Sequence, residues 1–495
     1  METVLLQATV RSKSTLANSM DASTVSFVIK MEGTPADKPR PSSSLYPPLR
    51  RWIWSYPIEQ DLPYDIAAGV TVGLMAIPQS LSYALIAGMP PQYGLYSDLQ
   101  ICYPIFGTSR FLVVGPVAVM SLMSRIAMEK LSIEESSVEW VDMVCFLSVT
   151  VAVIQFAIGL LGLGNRISSL LPESAIVGFS SAAALIIGGT QLTSLFGLSK
   201  CKLESGHSCG FLSTIVYVVS HISEAKIASL SIGLGSFALL YGFRNAPRLR
   251  TEGLLTNLIP KLGALSVVVT SIIVVYLHGE TEFLKDAQLV GQIPKGLPSP
   301  RWIPVLPSDP FVLCSLFFSS IPIALVGFAE ATAIAKASTK LRGQDPSLID
   351  DNEEVLALAF CNAFTAWVGG YPVTGSFSRT AINAESGARS ALSTAVAALA
   401  VVAVLLFCTE ALALLPKAAV SSIVLFAVVR LIDYKEFQKY LSEYRENPQE
   451  NLDIVVSTSV FASSLLLGVE VGLFLGVVAN SLTNLYKKKQ LSVKY

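Results

Sequence analysis

Apolar segments long enough to cross a lipid bilayer recur almost continuously along this chain, from residue 62 to residue 486. A membrane-spanning helix needs about 20 consecutive, mainly apolar residues. Hydrophobic residues make up 52% of the 495 residues and charged residues only 14%, which is far from the composition of a soluble globular protein. The sequence therefore predicts an all-α polytopic membrane protein rather than a soluble domain with one anchor.

Fourteen membrane-spanning segments are predicted, with both termini on the cytoplasmic side. This orientation places the lysine and arginine clusters at residues 50–51, 244–250 and 487–489 inside, as the positive-inside rule requires. The predicted boundaries are residues 62–87, 94–106, a third segment after Arg110, then 142–163, 168–197, 211–243, 258–277, 311–337, 354–368, 377–388, 391–413, 416–432, 453–466 and 468–486.

The ends of the chain are expected to lie outside this transmembrane domain, which covers residues 51–490. Residues 1–50 are rich in Ser, Thr and Pro and are predicted to form a disordered cytoplasmic segment. Residues 491–495 form a short tail.

The sequence carries few signals of catalysis. No phosphate-binding loop, serine-hydrolase elbow or HExxH motif lies on a suitable element, so we expect no enzymatic activity, no cofactor and no ATP-driven step. The seven cysteines form neither a CxxC motif nor a Cys/His cluster, so no metal site is predicted. Cys201 and Cys209 fall in one short external loop, either as a disulfide or as two free thiols.

Two short motifs recur at the same spacing. The Ile-Pro at Pro78 is repeated at Pro322, and the Leu-Pro at Pro172 is repeated at Pro416, both at an offset of 244 residues. Either the matches arose by chance in an apolar sequence, or the chain has two related halves, at about 60–280 and 308–486. Seven segments per half would give the halves opposite orientations, and many secondary transporters bind their substrate between such inverted repeats.

The stretch YPVTGSFSRT at residues 371–380 has the features of a helix that starts inside the membrane. Its glycines and proline keep the backbone out of a continuous helix, its hydroxyls can cap a new helix, and Arg379 adds a fixed charge one turn later. Free N–H groups, a positive dipole end and an arginine together indicate an anion site. Gly115-Pro116-Val117 predicts a second such start opposite Ser376, or an ordinary kink.

Three further side chains are candidates for this site. Gln79 and Tyr83 share one face of the first segment and could contact an anion, or else hydrogen-bond neighbouring helices. Glu330 lies in apolar surroundings, where burial disfavours its ionised form and a nearby Arg379 would favour it. We favour a proton-carrying role for Glu330 over a fixed ion pair with Arg379. Asp98 lies near a segment end, which predicts a solvated or capping role.

The motifs at residues 65–79, 91–96, 114–119 and 369–381 resemble those of the sulfate permease family of anion transporters. The resemblance implies a 7+7 inverted repeat in which segments 3 and 10 are half-helices. Segments 1–4 and 8–11 would form a core domain and the others a gate domain, with the core moving as an elevator. It also implies anion binding near Val117, Ser378 and Arg379, faced by Gln79 and Tyr83. The resemblance further implies that Glu330 couples transport to protons.

From this resemblance we expect proton-coupled sulfate symport. The alternatives are exchange of chloride, bicarbonate or oxalate, and an uncoupled anion channel. The expected partners are an inorganic anion, protons, membrane lipid and a second copy of the chain in a homodimer, with no nucleic acid. The plasma membrane is preferred over an internal one. Relatives usually carry a STAS domain after the last segment, which this chain is expected to lack. Many relatives have a small hydroxyl residue where this chain has Asp98.

Overall fold

The computed structural model describes most of the predicted transmembrane domain. Residues 1–50, the tail at 491–495 and Cys209 lie outside the described residues, whereas Cys201 is disulfide-bonded. The described residues are 53, 56–131, 133–168, 172–199, 201, 211–245, 263–279, 281, 284–300, 307, 309–429, 432–447, 452–468, 471–472, 474–476, 478–480 and 483.

The elements of the first half alternate long helices with short breaks. They are α1 (Ile58–Ile86), α2 (Gln92–Ser97), α3 (Tyr103–Phe106), β1 (Val114–Gly115), α4 (Ala118–Glu129), α5 (Val138–Leu160), α6 (Gly164–Ser168), α7 (Glu173–Leu195), α8 (Phe211–Ser220), α9 (Ile227–Asn245) and α10 (Gly263–His278), with a 3-10 turn at Ile222–Glu224.

The second half follows a similar order. Its elements are α11 (Pro310–Leu341), α12 (Asp351–Trp367), β2 (Thr374–Gly375), α13 (Phe377–Glu385), α14 (Leu392–Phe407), α15 (Thr409–Ala413), α16 (Lys417–Val428), α17 (Tyr434–Glu446) and α18 (Asp453–Leu467), with a 3-10 turn at Pro346–Leu348. Side-chain caps start several of them: Ser137 accepts a hydrogen bond from the Trp140 N–H at α5, and Asp309 accepts one from the Phe311 N–H at α11.

Several helices are suited to a lipid bilayer. α1, α5, α7, α9 and α11 are long and apolar enough to cross a membrane, and α8, α10, α14, α16 and α18 are shorter apolar helices. Some predicted segments consist of two helices instead of one, because a continuous apolar sequence does not reveal where the chain changes direction. Residues 94–106 form the two short helices α2 and α3, and residues 211–243 form α8 and α9. The last predicted segment lies partly outside the described residues, so the count of fourteen stays a prediction.

The helices pack in two groups. In the first group, α5 packs against α11 and α12, and α1 packs against α13 and α14. In the second group, α7 packs against α16 and α18, and α9 packs against α10 and α16. The two groups meet where α1 contacts α10 and α16, and where α4 contacts α7.

The repeated prolines occupy equivalent places. Pro78 lies inside α1 and Pro322 inside α11, whereas Pro172 and Pro416 each stand at the extended N-cap position of α7 and α16. The packing repeats as well: α1 packs against α14 as α11 packs against α5, and α7 packs against α18 as α16 packs against α9. Two related halves would produce both correspondences.

A short antiparallel pairing joins the halves at their centre. Val114 pairs with Gly375 and Gly115 with Thr374. When two strands at equivalent positions pair antiparallel, a two-fold rotation brings one onto the other. An inverted repeat requires the same two-fold relation between its halves. Each strand leads directly into a helix, α4 or α13.

A buried carboxylate fixes the start of α1 to the loop between α13 and α14. Asp65 is fully buried and accepts hydrogen bonds from the Arg389 N–H at 2.7 Å, the Ser390 N–H at 3.1 Å and the Ser390 hydroxyl at 2.6 Å. Arg389 also pairs with Asp61 at 2.6 Å. These bonds hold α1 beside α13, which positions the side chains described next.

Candidate functional site

Two helix starts lie side by side at the centre of the fold. The N-cap residues Val117 and Ser376 are extended, and neither N-cap side chain accepts a hydrogen bond from its helix. The first bonds within the helices run from the Ser121 N–H to the Val117 carbonyl and from the Thr380 N–H to the Ser376 carbonyl. The N–H groups of residues 118–120 and 377–379 therefore have no partner within their own helices. We refer to these two first turns as the paired helix starts.

The paired helix starts create a positive region without a free cation. Each helix N-terminus carries about half a unit of positive charge, and the β1–β2 pairing keeps the two ends together. The Ser376 N–H donates to the Val113 carbonyl at 2.9 Å, and the Val113 N–H donates to the Thr380 hydroxyl at 3.0 Å. These hydrogen bonds join the two helix starts without using the N–H groups of the first turns.

Arg379 is buried and donates three hydrogen bonds to protein side chains. Its side chain has no solvent exposure, and each guanidinium nitrogen donates a hydrogen bond. Nε donates to Gln79 Oε1 at 3.1 Å, Nη2 to Ser80 Oγ at 3.1 Å and Nη1 to Asp98 Oδ1 at 2.5 Å. Arg379 therefore forms an ion pair with Asp98, whose carboxylate balances its positive charge.

Asp98 differs from its prediction. Its backbone ends α2, but its side chain is buried and not solvated. Besides the bond from Arg379, its Oδ2 accepts a hydrogen bond from Ser80 Oγ at 2.9 Å. The chain leaves α2 and turns into α3 at this point, which directs the carboxylate inward. Its partner lies 281 residues away, so no local spacing in the sequence could have revealed the pair.

Gly115 provides the space in which this ion pair sits. A Cβ at this position would lie against Arg379 Nη1 and 2.5 Å from Asp98 Oδ1. We therefore expect Gly115→Ala to separate the pair and to lower the free energy of unfolding by about 1–3 kcal/mol, as overpacking does. Thermal unfolding in detergent measures the effect.

Gly327→Ala is the matched control for Gly115→Ala. Gly327 lies beside β2, but its Cβ would meet Met120 at 3.4 Å and Thr374 at 3.5 Å, which are tolerable contacts. Equal melting temperatures for the two variants would contradict the role given to Gly115.

Glu330 lies on α11 where that helix crosses β2. Thr374 Oγ1 donates to the Gly327 carbonyl at 2.5 Å, and a Cβ on Gly375 would lie 3.1 Å from Ala331 Cα. Glu330 itself is half-buried, and its Oε2 is buried with no hydrogen-bond partner. Within the described residues no cation lies at ion-pair distance from it, and the suggested pair with Arg379 is not formed.

The remaining predicted site residues surround the same place. Gln79 is buried and bound to Arg379, and Tyr83 is buried within electrostatic range of Arg379, Asp98 and Glu330. Val117 ends the turn before α4, and half-buried Ser378 lies in the first turn of α13. The structure thus brings the predicted residues together, while the sequence missed Asp98 and Ser80.

The site offers anion-binding groups rather than metal ligands. In the described part of the chain, no group of three or more His, Cys, Asp or Glu residues could hold a metal ion. Backbone N–H groups, the Ser378 hydroxyl and two helix dipoles are available to an anion. Among the described residues, Glu330 is the nearby carboxyl whose charge its neighbours do not balance.

Comparisons with known proteins bear on these features. A profile of the sulfate permease family matches residues 62–446. The sulfate transporter 4.1, chloroplastic, of Arabidopsis thaliana is 32% identical over 437 residues, covering 87% of this chain and 59% of the relative. Prestin of Danio rerio is 29% identical over 462 residues, covering 90% of this chain and 60% of the relative. The chain thus spans about 60% of the length of these curated relatives.

A solved structure shares the fold. The murine Solute Carrier 26 family member A9 anion transporter in the inward-facing state aligns with a TM-score of 0.77 at 24% identity. The alignment covers 94% of this chain and 75% of that one. The family match and the apolar helices together place this chain among multi-pass membrane proteins.

Proposed function

The chain belongs to the sulfate permease family, as its motifs predicted, and we propose that it is a secondary active transporter that carries sulfate across a membrane together with protons. One observation supports the proposal above the others. Two helix N-termini without side-chain caps meet at the centre of the fold, beside a carboxyl group that has no cationic partner in the part of the chain that the structure describes. The first feature suits an anion and the second suits a proton.

Sulfate would bind at the paired helix starts. Backbone N–H groups at a helix N-terminus replace the water around an anion, and the dipole favours its charge. Ser378 adds a hydroxyl there, and Gln79 and Tyr83 lie on the face of α1 that lines the same region. Arg379 contributes by holding α13 against α1 and β1, because its own charge is already balanced by Asp98.

Glu330 would carry the coupled proton. An ionised Glu330 would repel a dianion at the paired helix starts, whereas a protonated one would not. Protonation before sulfate entry, and release of both on the other side, couples the two fluxes. The neutral state is also the less costly one for a carboxyl group without a cation in an apolar setting.

The two packing groups support an elevator mechanism. The group containing α1, α5 and α11–α14, together with α4, which packs against α1 and α11, carries the site residues and would move as the core domain. The group containing α7, α9, α16 and α18 would form the gate domain. We further propose that the protein works as a homodimer in contact with lipid, in the plasma membrane rather than in the internal membrane that the name of the chloroplastic relative indicates.

Uptake of labelled sulfate into proteoliposomes tests this function. An inward proton gradient is expected to accelerate uptake and to drive accumulation, by about tenfold per pH unit for each coupled proton at zero membrane potential. The control has equal pH on both sides, with the potential held at zero by potassium and valinomycin. No acceleration by the gradient would eliminate symport.

The same vesicles separate the alternatives. An exchanger would need chloride, bicarbonate or oxalate inside the vesicle and would not respond to the proton gradient alone. An uncoupled channel would respond to an imposed membrane potential but would not accumulate sulfate at zero potential. Either result would replace the proposed mechanism.

A further inference from the structure

We propose that Asp98 is a built-in counter-anion of Arg379, and that it thereby sets the affinity of the site and its preference between monovalent and divalent anions. This inference rests on the proposed function only in that the site binds an anion. Asp98 is buried, and its carboxylate takes up Arg379 Nη1 and the Ser80 hydroxyl, which are groups that an anion would otherwise bind.

The ion pair is not needed simply to bury a carboxylate. Glu354 on α12 is also fully buried, yet it accepts hydrogen bonds from neutral donors, which are the Tyr103 hydroxyl, the N–H and hydroxyl groups of Thr108 and the Ser109 N–H. This fold therefore satisfies a buried carboxylate without a cation. The pairing of Asp98 with Arg379 instead cancels the charge of a residue in the first turn of α13.

The surroundings of Asp98 leave it some freedom. It borders a small cavity of about 10 Å³, enough for one water molecule. Gln100 lines the same cavity and has a buried Oε1 without a hydrogen-bond partner. The opposite wall is apolar and belongs to α1 and α14, with Val72, Ala76, Ala397 and Val401. The carboxylate is thus held by Arg379 and Ser80 on one side and is not tightly packed on the other.

The charge balance gives a quantitative expectation. When Asp98 is ionised, its charge and that of Arg379 cancel, so the two helix dipoles are what attracts an anion. With Asp98 neutralised, the positive charge of Arg379 acts on a bound anion. Because the Coulomb energy is proportional to the charge of the anion, any fold-increase in affinity for a monovalent anion should be squared for a divalent one.

Asp98→Asn tests the proposal, because asparagine preserves the shape and removes the charge. Anion-dependent stabilisation against thermal unfolding in detergent gives apparent affinities for sulfate and chloride. We expect sulfate to bind at least about tenfold more tightly than in the unmodified protein, and chloride about threefold more tightly. Glu354→Gln, which removes another buried carboxylate whose hydrogen-bond donors are Tyr103, Thr108 and Ser109 and not Arg379, should change neither affinity.

Equal or weaker sulfate affinity in Asp98→Asn would overturn the proposal, as would the same increase in Glu354→Gln. If Asp98→Asn does not fold, the double variant Asp98→Asn/Arg379→Gln decides, since it removes both charges. It should bind sulfate within about threefold of the unmodified protein. Loss of its sulfate binding would show that the Arg379 charge is not cancelled, and would equally overturn the proposal.

Measurements on the unmodified protein distinguish a failure of this inference from a failure of the proposed function. Its stabilisation is first measured with sulfate, oxalate, chloride and bicarbonate. If sulfate has no effect and another anion does, the proposed substrate is wrong, and the comparison with Asp98→Asn is made with that anion. If no anion stabilises the protein, both proposals are wrong.

Discussion

Arg379→Ala is expected to lower the affinity for sulfate by at least about hundredfold and the free energy of unfolding by about 3–5 kcal/mol. The reason is the ion pair rather than a lost contact with sulfate. Removing Arg379 leaves Asp98 buried with an unbalanced negative charge. Two unit charges about 8 Å apart repel by about 2 kcal/mol at an effective dielectric constant of about 20, and sulfate carries two.

Sulfate-dependent thermal stabilisation measures the affinity, and denaturation without sulfate measures the stability. Arg125→Ala is the matched control, because Arg125 is also buried and pairs with Glu129 at 2.7 Å and Glu135 at 2.5 Å, beyond the first turn of α4. It should lose stability but keep sulfate affinity. An Arg379→Ala protein with unchanged sulfate affinity would place the anion site elsewhere.

The ion pair also predicts strong non-additivity. Adding Asp98→Ala to Arg379→Ala removes the unpaired charge, so the double variant should be more stable than Arg379→Ala alone. This comparison separates the cost of a buried charge from the cost of a missing side chain.

Features that depend on local backbone chemistry were predictable from the sequence. Pro78 and Pro322 mark equivalent points on α1 and α11 because proline constrains the backbone wherever it occurs. The helix start at Ser376 was visible because glycine, proline and hydroxyl residues interrupt an apolar run there. Such signals need only a few neighbouring residues.

Features that depend on packing were not predictable. Asp98 looks like a residue at a segment end, and the sequence does not show that the break between α2 and α3 turns it toward Arg379. Hydrophobicity likewise joins α8 and α9 into one segment, because it does not record the 3-10 turn at Ile222–Glu224. The charge balance around Arg379 therefore required the structure.

Glu330→Gln is expected to abolish accumulation of sulfate driven by a proton gradient while leaving sulfate binding within about threefold of the unmodified protein. Glutamine resembles the protonated carboxyl group in shape and charge, but it cannot release a proton and take it up again as a carboxyl group does. The variant should therefore still exchange labelled for unlabelled sulfate at equal pH on both sides. Counterflow and gradient-driven uptake in the same vesicles measure the two activities.

Glu354→Gln provides the comparison for this last variant. Both carboxyl groups have buried oxygens, but those of Glu354 accept several hydrogen bonds, whereas Oε2 of Glu330 has no partner. The Glu354 variant should therefore lose stability and keep its response to the proton gradient. Unaltered accumulation in Glu330→Gln would make Glu330 a structural residue, and loss of counterflow together with accumulation would assign it to sulfate binding. Because Asp98 already balances Arg379, Glu330 is, among the described residues of this site, the acid whose ionisation would change the net charge there, and the proposed coupling of sulfate to protons depends on that change.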